Sequence, residues 1–143
     1  MLNKFFKKNK KEHSENNDVL IAALLIHAAK IDENYTDVEK KIIKEALTEI
    51  NSITAEQAEE LMSKAEKEEE EQNQIVKFTR ETKKISMDSR LKIIEVIWKI
   101  VYSDGISDSY ESNLIRRICG LLYISDQDSG KIKTRIKNMK DKL

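Results

Sequence analysis

Asp32 and Glu39 stand seven residues apart in "IDENYTDVEKKII", and Asp104 and Glu111 stand seven apart in "SDGISDSYESNLI". Carboxylate oxygens are compact and anionic, so such pairs suit hard cations, Ca2+ or Mg2+ before Zn2+. One pair falls short of the about six to eight oxygens that calcium takes. Backbone carbonyls, water or the other acidic turn must complete the shell. If the two turns meet, Asp32, Glu39, Asp104 and Glu111 repel one another unless a cation or a proton intervenes. The same spacing has a second use. A glutamate in the first turn of a helix bonds back to the capping amide and complements the helix dipole. Metal binding and helix capping both stand open from the spacing.

An EF-hand does not fit. Counting from Asp32, the sixth loop position is Asp37 where glycine is needed, and the twelfth is Ile43 where glutamate is needed. The corresponding residues of the second loop are Ser109 and Ile115. Two histidines, His13 and His27, with one cysteine do not make a zinc site. His27 lies in an apolar stretch and reads as a packed or hydrogen-bonded histidine. Cys119 shares a helical face with Ile115, Ile118 and Leu122 and reads as core. No phosphate loop, nucleophile elbow or triad is present, so the expectation is a protein without catalytic or cofactor-binding residues.

The elements that must position these turns are helices. The 143 residues contain no proline and three glycines, which favours an all-α chain. "DVLIAALLIHAAKI" is apolar on nearly every side, and "TDVEKKIIKEALTEI" follows with Thr36 and Glu39 in capping-box spacing. Thr54 and Gln57 repeat that signature before "AEQAEELMSKAEKEEEEQNQ", whose glutamates 66 and 68–71 read as a solvated helix end. "IVKFTRETKKI" gives a short helix and "SMDSRLKIIEVIWKIVYSDG" the most apolar one, with Trp98 expected between it and the first helix. "DSYESNLIRRICGLLYI" starts at Asp108, again with a glutamate three positions on. A basic helix starting at Ser125 completes seven, and carries Lys131, Lys133, Arg135, Lys137, Lys140 and Lys142.

Composition bounds the partners. There are 26 basic and 26 acidic side chains, so no general attraction to nucleic acid is expected. A single cysteine fits a reducing cytoplasm, and no apolar run is long enough to span a bilayer. Residues 1–16 read as a flexible basic tail ahead of a domain over 17–143. That tail lacks the apolar core of a secretory signal. Its Phe5 and Phe6 among five lysines offer peripheral contact with an anionic membrane; a solubilising tail is the other reading.

The acidic turns belong to an internal repeat. An offset of 72 carries Asp32 to Asp104, Glu39 to Glu111, Ile42 to Leu114, Ile43 to Ile115, Ala46 to Ile118 and Leu47 to Cys119. Matching apolar positions along a whole helix predict two pseudo-symmetric helical hairpins whose long apolar first helices pack together.

"AALLIHAAKIDENYTDVEKKII", "FTRETKKI" and "IIEVIWKIVYSDGISDSYESNLIRRICGLLYIS" together resemble the TerB (tellurite-resistance B) family. The features carrying the resemblance are an Asp-Gly turn at Asp104-Gly105, Glu111 seven positions after the aspartate, and the helical segment Leu114-Ile115-Arg116-Arg117. The upstream copy departs from the pattern, with Glu33 in place of the turn glycine. The resemblance implies an all-α single domain of about seven helices, with Asp32, Glu39, Asp104 and Glu111 as ligands of a divalent metal. It also implies a cytoplasmic, non-enzymatic interaction module with a protein partner, in a stress or tellurite-resistance assembly that is sometimes peripheral to the inner membrane. The alternative is a regulatory ion-binding protein whose acidic turns are themselves the functional site.

Overall fold

A computed structural model describes residues 18–30, 35–71, 75–103 and 109–141; side chains 81, 109–112 and 140–141 lie outside the described set. The described residues form seven helices and no strand. These are α1 (18–29), α2 (Asp37–Asn51), α3 (Ala55–Glu71), α4 (Ile75–Thr82), α5 (Met87–Ser103), α6 (Ser109–Leu121) and α7 (Asp126–Asp141).

Local chemistry sets most of the boundaries. At the start of α2 the Glu39 amide donates to Thr36 Oγ1 (3.1 Å) and the Thr36 amide donates to Glu39 Oε1 (2.9 Å), a reciprocal capping box. Ser52 ends that helix in the left-handed region (φ 52°). Thr54 and Gln57 make the same reciprocal pair at the start of α3, at 3.0 and 3.1 Å. Ser125 Oγ accepts from the Asp128 amide (3.1 Å) and caps α7, as its position predicts. Asp108, the cap expected for α6, lies outside the described residues, as does the tail over 1–16.

The two apolar helices are buried on most sides, as their near-continuous hydrophobicity requires. Ile21 through Ile26 and Ala29 of α1 are buried, and so are seven residues of α5 between Ile93 and Val101. Helix α5 packs against α2, α6 and α7; α2 also packs against α3, and α4 against α6. Ala28 and Ala29 of α1 meet Ile97, Ile100 and Val101 of α5 around one small cavity, so the first helices of the two hairpins do come together.

Two expectations need correction. Trp98 does not lie between α1 and α5 but faces α7: its indole N–H donates to Ser129 Oγ (3.2 Å), and Lys133 Nζ lies 5.1 Å from its ring centroid. Helical spacing fixes the side of α5 that carries Trp98; it does not say which helix covers that side. The glutamate run is not wholly solvated either. Glu69 is buried, because positions 58, 62, 65 and 69 share one face of α3 and the first three are Ala, Met and Ala.

Candidate functional site: the acidic turns between hairpin helices

Of the four predicted ligands, Glu39 is placed in full. Its side chain is 1% exposed, and Oε1 accepts both the Thr36 amide (2.9 Å) and the Thr36 hydroxyl (3.0 Å). The capping role is therefore real at this glutamate. Glu111 is carried by the first turn of α6, but its side chain, together with Asp32 and Asp104, lies outside the described residues.

Glu39 also lines the small cavity noted above, of about 10 Å3, room for about one water molecule. Its other walls are Ala28, Ala29, Ile97, Ile100, Val101, Leu114 and Ile115. The repeat offset carries Ala28 to Ile100 and Ala29 to Val101, so repeat-equivalent residues from both hairpins face one another across it. Ala29 and Val101 each precede their acidic turn by three residues, and Leu114 follows Glu111 by three. The glutamate of the upstream turn thus abuts the helical segments that flank the downstream turn.

A second set of contacts braces the upstream turn from α3. Just before the turn, Lys30 Nζ pairs with Glu69 Oε2 (2.8 Å), and His27 Nδ1 lies 3.3 Å from Glu69 Oε1. Just after it, the Tyr35 hydroxyl donates to Glu66 Oε1 (3.1 Å), and Lys40 Nζ sits 4.8 Å from the Tyr35 ring centroid. Burial holds the Tyr35 phenol above its ordinary pKa, reinforced by the charge and hydrogen bond of Glu66 and then by the charges of Glu39 and Glu69. His27 is a packed, hydrogen-bonded histidine as expected, with its ring tilted against Phe78 at 6.0 Å. Glu66 and Glu69 are the residues that sequence reasoning missed at this site. The signal for Glu69 was its place on the apolar face of α3, hidden inside a run of like charges.

Cys119 is buried beside Ser129, and burial pushes its thiol pKa up, away from the thiolate that nucleophilic chemistry requires. Among the described residues, no group of three or more His, Cys, Asp or Glu side chains could hold a metal ion. Four carboxylates drawn from both turns would make a donor set suited to a hard divalent cation. Glu39, the one fully described, would contribute a buried, preoriented carboxylate to it.

An all-helical bundle built from two repeated hairpins, with an acidic turn in each, is the class that fold and site define. The family model described as tellurite resistance protein TerB matches residues 18–134, and the chain belongs to that family. No curated protein and no solved structure matches it. No described helix is long and apolar enough to cross a membrane.

Proposed function

We propose that this TerB-family chain is a non-enzymatic, cation-responsive interaction module. Asp32 and Glu39 from one turn and Asp104 and Glu111 from the other contribute to one divalent-cation site between the hairpins. Occupancy of that site sets how firmly the two hairpins are held, and a protein partner in a stress or tellurite-resistance assembly reads that state in the cytoplasm. The observation that supports this reading is the buried Glu39 carboxylate against Val101, Leu114 and Ile115, within a cavity walled by repeat-equivalent residues. A carboxylate in such surroundings is stabilised by a bound cation, which offsets its desolvation and its repulsion from neighbouring acids.

Thermal denaturation with and without millimolar Ca2+ or Mg2+ tests the reading. Wild-type protein should gain stability with the ion. Glu39→Gln with Glu111→Gln should keep most of the metal-free stability, because glutamine still caps, and should lose the gain, because glutamine supplies no charge. Unchanged melting in every divalent ion, together with no calorimetric signal, would leave the turns as helix caps and sink the proposal.

A further inference from the structure

The chain is neutral overall, yet its charges are segregated. Residues 55–71 hold eight acidic and two basic side chains, and residues 131–142 hold six basic and one acidic. The fold sets these segments apart: α3 packs on α2, α2 on α5 and α5 on α7, so α3 and α7 are the two ends of this packing series. Helix α3 turns Ala58, Met62, Ala65 and Glu69 inward, and α7 turns Ser129, Ile132 and Ile136 inward.

The opposite, outward stripes carry charge in matching register. On α3, Glu56, Glu60 and Lys64 recur at intervals of four; on α7, Gln127, Lys131 and Arg135 do the same, with Asp128 beside the first. All of them are exposed. Four residues rise about 6 Å along a helix, so the two stripes repeat at the same interval. Laid antiparallel, Glu56 meets Arg135, Glu60 meets Lys131, and Lys64 meets Gln127 and Asp128. Lys67, further along α3, falls beyond the start of α7 in this register. A slip of one turn either sets Glu60 against the aspartates that open α7 or sets Lys64 against Lys131. A parallel arrangement sets Glu56 against Asp128 and Lys64 against Arg135. Repulsion therefore selects one orientation and one register. These groups are also available: Glu56, Glu60, Lys64, Asp128 and Lys131 make no ion pair among the described residues. Arg135 reaches Glu95 at 3.4 Å and stays 58% exposed.

We propose that α7 of one copy docks α3 of a second copy, antiparallel, through these three contacts. Each copy has one acidic end and one basic end, so the contact is heterologous and propagates head to tail. Exposed ion pairs are individually weak and screened by salt, so assembly is favoured by high local concentration and low ionic strength.

Sedimentation of the full chain at millimolar concentration, in low salt and EDTA, tests this inference independently of the cation site. The weight-average mass should rise with concentration past two chains and fall to that of one chain in high salt. Glu56→Lys with Glu60→Lys sets cations against cations and should lower the association constant about tenfold or more. Adding Lys131→Glu with Arg135→Glu returns the chain to neutrality and should restore association. Replacing that second pair by Arg116→Glu with Arg117→Glu, on α6, also returns neutrality but should not restore it. Circular dichroism checks that each variant keeps its helices. A wild-type chain that stays monomeric in low salt would overturn the proposal, as would association that the α3 pair leaves unchanged. Rescue through α6 would show that general charge balance, not α7, governs the contact. Loss without rescue through α7 would assign α3 to another cationic segment, such as the lysine-rich residues 1–16, and refute the pairing. A mass that saturates at two chains would refute the head-to-tail arrangement.

Discussion

Trp98 offers the most direct check on how the second hairpin is closed. Its indole is buried, stacks on Tyr102 with ring centroids 6.0 Å apart, and donates to Ser129 of α7. A buried tryptophan removes roughly 200 Å2 from water, worth about 5 kcal/mol at ~25 cal/mol per Å2. Alanine retains part of that, while the cavity it leaves adds a cost, so Trp98→Ala should destabilise by about 3–5 kcal/mol. Urea unfolding followed by far-UV circular dichroism measures this without depending on the fluorophore that is removed. The partner assignment needs a cycle: Trp98→Phe keeps most of the packing and loses the N–H, and Ser129→Ala removes the acceptor. Their coupling should be about 1 kcal/mol, the net value of one buried hydrogen bond. A cost under about 1 kcal/mol for Trp98→Ala, or additive behaviour of the Phe and Ala variants, would refute the placement of Trp98 against α7.

The brace between α3 and the upstream turn makes Glu69→Ala cost about 2–3 kcal/mol in the same urea assay, since it removes a buried carboxylate from His27 and Lys30; a loss of a few tenths would mean that Glu69 is solvated. Burial, with the Glu66 carboxylate beside it, holds the Tyr35 phenol above its ordinary value of 10.0 in the folded protein, so the stabilisation it provides is complete below that pH and is lost as the pH rises beyond it. Tyr35→Phe should therefore flatten the alkaline fall in stability, and the ultraviolet phenolate signal it removes from the wild-type titration should appear only with unfolding. Deleting residues 1–16 should leave the melting temperature nearly unchanged, because lysines and polar residues offer little to bury; a large drop would show Phe5 or Phe6 anchored in the core.

Helix starts were legible wherever a residue and its partner are close in sequence. Thr36 with Glu39, and Thr54 with Gln57, encode their capping bonds at an interval of three residues, and the structure makes both. Burial of α1 and α5 was equally readable, since stretches apolar on every side must be covered on every side. The family was legible from the downstream turn and the Arg116-Arg117 helix. What the sequence hid was contact between distant elements. Trp98 and Ser129 are 31 residues apart, and His27 and Glu69 are 42 apart; neither pairing leaves a periodic trace. Glu69 was further obscured because acidic neighbours on both sides made it resemble part of a solvated run. At the acidic turns the repeat offset pairs Asp32 with Asp104 and Glu39 with Glu111, and the cavity adds that Glu39 reaches the helical segments flanking the other turn.

The central claim is that the two turns contribute to a single cation site. Isothermal titration of the metal-free full chain with Ca2+, and in parallel with Mg2+, measures stoichiometry and tests it most directly. A shared site requires one ion per chain, and it requires that Glu39→Gln alone and Glu111→Gln alone each weaken binding of that same ion by about tenfold or more, because each removes one charge from one shell. Two ions per chain, with each single variant abolishing one and sparing the other, would contradict the shared site and leave two independent turns.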